Sequence, residues 1–222
     1  MKKLILNISL AFLFVSSQIL AQQTPGLTQS ESILITGVTA HIGNGTVIEN
    51  AAIGFDNGKI SFVGSAATAN QNDFNQVINA EDKHVYPSFI ASNTTSGLVE
   101  VDAVRASSDI DETGSMLPHI RSIIAYNAES KVTESLRPNG ILMGQVTPRG
   151  GTISGTSSIV QFDAWNWEDA AMKVDDGIHM NWPSAIRNGR TWMGEESGPT
   201  HDKSYNENLT KLKTYFNEAR AY

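Results

Sequence analysis

Asp56-Asn57-Gly58-Lys59, with apolar runs on both sides, constrains this chain more than any other local feature. Asn-Gly accepts the positive φ angles of a type I′ turn, whose twist matches that of two antiparallel strands. The reading is a hairpin from Val47–Phe55 into Ile60–Gly64. Ile33–His41 precedes it as a further strand, joined through a turn at Gly43-Asn44-Gly45. Val77–Ala80 and Lys83–Tyr86 flank another turn at Glu81-Asp82, so residues 32–86 are expected to form a small antiparallel β-module.

Pro87 marks a change of texture. Ser88–Ala91, Gly140–Val146 and Ser158–Phe162 read as buried strands, with Ser92–Ser96 as a polar run after the first. Thr147–Ser157, rich in glycine and hydroxyls, reads as a loop. Trp167–Val174 looks helical. Asn206–Tyr222 is the clearest helix, with Leu209, Leu212, Phe216 and Ala219 at helical spacing.

The N-terminus reads as a cleavable export signal over residues 1–21. Lys2 and Lys3 form a positive start, Leu4–Val15 is almost wholly apolar, and Ala21 is a small residue before the expected cut. The apolar stretch is shorter than the about 20 residues a membrane-spanning helix needs. Residues 22–31 read as a flexible leader, and the expected location is periplasmic or secreted. The chain has no cysteine, which removes disulfides, thiolate catalysis and cysteine-bound zinc. The formal net charge is −7 and becomes −9 without Lys2 and Lys3, which argues against nucleic acid or an anionic membrane as partner.

Few motifs carry chemistry. Gly150–Ser157 has the glycine spacing of a phosphate loop but lacks its lysine, so a structural glycine-rich loop is expected. No Gly-x-Ser-x-Gly elbow is present. Asp109, Asp111 and Glu112 do not have calcium-loop spacing and read as a solvated loop. No two of His41, His84, His119, His179 and His201 stand at local metal-pair spacing, which leaves only a long-range site open. Trp165, Trp167, Trp182 and Trp192 are expected in packing before ligand binding.

Gly37–Ala51 followed by Phe55–Gly64, then Val77–Ala80 and Val85–Ile90, resembles the N-terminal signature of the amidohydrolase superfamily. The branch is that of imidazolonepropionase-like exported bacterial enzymes. The resemblance implies a β-sandwich module over residues 32–86 and the first part of a metal-dependent (β/α)8 barrel over 87–222. It also implies hydrolysis of non-peptide carbon–nitrogen bonds by a hydroxide on zinc or another divalent ion.

Two departures shape what is expected. The family's barrel strand ends in His-x-His, whereas here Asn93 and Thr95 take those positions, and neither replaces a neutral imidazole on such an ion. Only 136 residues run from Pro87 to Tyr222, against about 250 for a full barrel. The expectation is therefore a truncated chain, inactive alone, with no catalytic, metal or cofactor residue of its own. The alternative is a non-catalytic binding or scaffold module, completed by a second chain carrying the rest of the barrel or by another copy.

Overall fold

The computed structural model describes residues 24–189 and 198–222. The export signal and Trp192 lie outside the described residues. The chain divides into two compact units, one running to Phe89 and including Asp163–Trp165, the other comprising Ile90–Phe162 and the chain from Asn166 onward.

The first unit is built on β1 (Ile33–His41), β2 (Val47–Asp56), β3 (Lys59–Ser65), β4 (Gln76–Asn79) and β5 (His84–Val85). Asn57 and Gly58 adopt φ angles of 50° and 70°, as the type I′ turn requires. The turn is tied from outside: the Gln29 side-chain oxygen accepts from Gly58 N at 2.8 Å, and its nitrogen donates to the Phe55 carbonyl at 3.1 Å.

The expected antiparallel module is corrected at its last two strands. β4 and β5 do not pair with each other. Both lie parallel to β1, with Ile33–Thr36 against Gln76–Asn79 and Thr39–Ala40 against His84–Val85. The short link at Glu81-Asp82 is a kink within one interrupted edge strand. Thr39 N donates to the Lys83 carbonyl and Ala80 N to the Thr36 carbonyl, both at 2.9 Å, which joins the two halves to β1. Glu81-Asp82 supplies the change of direction, with Asp82 at a φ of 62°. Among the described residues β1–β5 of this unit form one mixed sheet.

A bulge decides which side chains form its core. Between Thr36 and Val38 the register against β2 slips by one residue at Gly37. Without the slip Ile35 and Val38 would face opposite sides; with it, Val38, Ala40, Ala51 and Ile53 bury together against Ile35, Ile48, Phe55, Ala80 and Val85. His41 and His84 alternate with Ala40 and Val85 and so take the other face.

The second unit contains β6 (Phe89–Thr94), β7 (Ile141–Val146), β8 (Ile153–Gln161) and β9 (Ala171–Met180) in that spatial order, with Phe89 itself belonging to the first unit. Around them stand α1 (Ser122–Ala125), α2 (Lys131–Leu136), α3 (Trp167–Ala170) and α4 (Tyr205–Ala221), and β10 (Ile186–Asn188) pairs antiparallel with β11 (Pro199–His201). β7, β8 and β9 are antiparallel neighbours. Barrel strands would be parallel; here a six-residue loop joins β7 to β8, and nine residues ending in the single turn of α3 join β8 to β9.

Several expectations change. β8 begins at Ile153, so the second half of the glycine-rich stretch is strand; its small side chains let the chain from Ile110 to Arg121 approach closely. Thr152 N and Ile153 N donate to the Ser115 carbonyl, and Thr156 N donates to the Ile120 carbonyl at 2.7 Å. Trp167–Val174 is helical only to Ala170, because β8 then captures the chain as β9. Of the Ser88–Ala91 stretch, the strand takes Phe89 onward and is not buried: Phe89 and Ile90 are mostly exposed on β6, the end strand of its sheet. β7 is only half-buried, Val146 fully and Leu142 not. Trp165 and Trp182 are exposed, so they do not serve the expected packing role within the described core.

Phe162, Val160, Val146, Ile123, Ile153 and Leu212 are among the buried apolar residues of this unit. Leu212 lies on α4, the expected helix, with Tyr205, Leu209 and Tyr215 half-buried near it on the same stripe. Tyr126 is 5% exposed, and burial pushes its phenol up to about 12. Thr133 lies near enough to draw the phenol slightly the other way, but the Thr133 hydroxyl donates to the Ser130 carbonyl and the phenol oxygen meets no hydrogen-bond geometry.

Candidate functional site

Strand alternation and the loop after β7 gather a polar cluster on the second unit. Asn93 ends the β6 side of it with a φ of 52°, a left-handed angle that asparagine tolerates better than most residues. Arg149 reaches back to this residue: Nη1 donates to Asn93 Oδ1 and Nη2 to the Asn93 carbonyl, both at 2.6 Å. Such a two-pronged grip uses the planar fork of arginine. Asn93 N donates to Gln145 Oε1 at 3.4 Å, and Gln145 Nε2 donates to Asp176 Oδ2 at 2.8 Å. Lys173 Nζ lies 2.7 Å from the other carboxylate oxygen.

These contacts set the charges. The Lys173 ammonium, followed by the Gln145 amide, holds the Asp176 carboxyl below the usual range. Burial lowers the His179 pKa, the Arg149 charge adds to this, and Asp176 opposes both. His179 is thus biased toward the neutral ring. Its Nε2 lies 2.8 Å from Ser157 Oγ.

A Ser–His contact invites comparison with an activated nucleophile. Ser157 is fully buried, and its hydroxyl also lies 3.3 Å from the Gly177 carbonyl. With no open face from which a substrate could be attacked, this pair is structural.

The two positions singled out by sequence behave differently. Asn93 joins the cluster. Thr95 does not: its carbonyl accepts from Leu98 N at 2.9 Å in a tight turn. The glycine-rich loop does not offer a row of free amides to an anion, because Thr147 N, Arg149 N and Thr152 N are bonded to the carbonyls of Thr94, Ile110 and Ser115. Sequence reasoning missed Gln145, Arg149 and Asp176, and weighed His179 only as one of five histidines without local metal spacing. No local spacing could have signalled them, since Asn93 and Arg149 stand 56 residues apart.

A concavity of about 350 Å³ lies beside Asp109, Asp111, Glu112, His119 and Arg121. The acidic trio read as a solvated loop therefore lines a cleft. Arg121 Nε is held by Asp175 at 2.9 Å, and that contact keeps the Asp175 carboxyl below its usual range. Among the described residues no three His, Asp or Glu side chains converge as ligands for a metal ion.

The comparisons with known proteins bear on the fold. No family model matches the chain. No curated protein matches it either. Among solved structures it is similar to an amidohydrolase from Thermotoga maritima MSB8, with a TM-score of 0.65 and 19% identity. The alignment covers 85% of this chain and 49% of that one, so the chain spans about half the length of the solved structure it matches. At that identity the likeness is one of fold: the chain has a mixed α and β architecture shared with part of an amidohydrolase. Among the described residues no helix is long and apolar enough to cross a membrane.

Proposed function

We propose that this is an exported amidohydrolase-like protein, of the class that hydrolyses non-peptide carbon–nitrogen bonds, and that the chain alone does not catalyse that reaction. Residues 32–86 would correspond to the family's β-sandwich module. β6, α1, α2 and β7 would correspond to the start of its barrel, with the β8–β9 hairpin following. The fold shared with an amidohydrolase supports the ancestry, and the sequence signature from Gly37 to Ile90 agrees with it.

The observation that carries the inactivity is the Arg149 guanidinium on Asn93. Zinc and its relatives need neutral imidazole, carboxylate or thiolate donors. An amide at Asn93 and a hydroxyl at Thr95 are weak donors, and a cation fixed 2.6 Å from the amide oxygen repels a second one. The residues at these positions do not fit the divalent ion of the family.

A second reading, a scaffold completed by another chain, is favoured by one observation. β9 ends its sheet and carries Met172, Val174, Ile178 and Met180 exposed, an edge of the kind that pairs with a further strand.

One preparation tests both. The purified mature chain, supplied with zinc or manganese, is assayed on amide and imide substrates and run in sedimentation velocity. No turnover above the metal-only blank is expected. Metal-dependent turnover abolished by a chelator would sink the inactivity reading. A monomer that unfolds cooperatively by itself would sink the scaffold reading.

A further inference from the structure

The five histidines show no metal spacing along the chain, yet the fold brings two of them together. His41 closes β1 and His84 opens β5, 43 residues later, and the parallel pairing of those strands sets the rings side by side. His41 Nε2 and His84 Nδ1 stand 3.0 Å apart. The ring of Tyr86 stacks on His41 at 4.2 Å between centroids and 9° between planes. All three side chains lie on the face opposite the buried Ala40 and the half-buried Val85. Tyr86 is 61% exposed, so water and ions reach the pair.

We propose that His41 and His84 form a two-imidazole site for a divalent transition ion of the zinc, nickel or copper type. Two nitrogens bound to a tetrahedral ion at about 2.0–2.1 Å stand roughly 3.3 Å apart. The observed 3.0 Å falls short of that span by a few tenths of an ångström. A turn of each ring about its own centre opens the distance and brings both lone pairs onto one point beside the present N···N line.

Two nitrogens that face each other at hydrogen-bond distance share one proton, since one must donate and the other accept. The ion takes the place of that proton. It receives one lone pair from His41 Nε2 and one from His84 Nδ1. The displaced proton passes to water, and the ring that had donated it takes a proton from water at its far nitrogen, so both rings bind as neutral imidazoles with no net change in protons. Water fills the other coordination positions. Tyr86 stacked on His41 restricts that ring before the ion arrives, which reduces the ordering cost of binding. Imidazole selects these ions over magnesium and calcium, which take oxygen donors. The site uses neither Asn93 nor Thr95 and does not depend on the reading of the chain as an amidohydrolase.

The test is titration of the whole mature, untagged chain with zinc chloride by calorimetry, repeated with magnesium chloride. The parent is compared with His41→Ala, His84→Gln and a triple variant of His119, His179 and His201 to alanine. Loss of an outer-shell partner alone costs about 10–100-fold in metal affinity, so loss of either ligand should weaken zinc binding at least tenfold. The triple variant should bind as the parent does, and magnesium should give no saturable heat. Circular dichroism checks that each variant is folded. Copper bound to the parent should show electron-resonance splitting from two nitrogens, which gives a readout independent of any variant. The proposal is overturned if the parent binds no zinc, if His41→Ala or His84→Gln binds it as tightly as the parent, or if the triple variant abolishes it. Nitrogen splitting absent from the copper spectrum overturns it as well.

Discussion

Gly155→Ala should destabilise the second unit by about 3 kcal/mol or more. Two effects add. Gly155 has a φ of 129°, where an alanine is strained whatever surrounds it. The new Cβ would also stand 2.5 Å from the Ile120 carbonyl oxygen and 3.0 Å from Ile120 Cβ. Ile120 cannot simply move away, since its carbonyl holds Thr156 N at 2.7 Å. Gly140→Ala is the control: its φ of 80° imposes strain, but nothing lies within 4 Å of the added carbon. Urea denaturation of the two variants separates the terms. Equal midpoints would show that the contact with Ile120 contributes nothing.

The other large effect is a loss of stability at high pH that belongs to Tyr126. Its phenol is pushed up to about 12 in the folded chain from an ordinary 10.0. Below pH 10 both states keep the proton and the contribution is fully present. Between about 10 and 12 the unfolded chain releases the proton while the folded chain retains it, so stability falls as pH rises through that window. A rise of that size corresponds to about 3 kcal/mol, lost by the time the folded phenol ionises. Tyr126→Phe should flatten that part of the curve and cost little at neutral pH, because the phenol oxygen has no hydrogen-bond partner to lose. Chemical denaturation from pH 8 to 12 reads both, and a Phe variant that falls as steeply as the parent would refute the assignment.

Legibility from sequence followed the range of the interactions. The Asn57-Gly58 hairpin and the α4 helix were readable because turn chemistry and a 3.6-residue stripe are local signals. β9 was not. Glu168, Asp169, Ala170 and Ala171 favour a helix by themselves, and only pairing with β8 makes Ala171 onward a strand. Ile153–Ser157 read as loop because serine, threonine and glycine usually mark one; here they are small enough to sit buried beneath a closely passing chain. The direction of β4 and β5 was hidden for a related reason, since a turn between two short strands suggests that they pair with each other. Of the candidate site, Asn93 was visible only through the family resemblance. Its grip by Arg149, and the meeting of His41 with His84, depend on tertiary contacts that no window of sequence contains.

The edge that β4 and β5 add to β1 also has a place in time. β2 meets β3 through a two-residue turn, whereas Ser32 and Asn75, which bond beside the start of the β1–β4 pairing, are 43 residues apart. Closing the longer loop costs more chain entropy before any contact compensates for it. We therefore expect the β1–β2–β3 meander to assemble first and the interrupted strand to dock last and release first. In native-state hydrogen exchange, the amide protons of Thr39 and Ala80 should be lost well before that of Ile53, and equal protection would refute this order. The sheet then behaves as a stable local nucleus with a detachable margin, and the paired imidazoles sit on that margin, present only while it is closed.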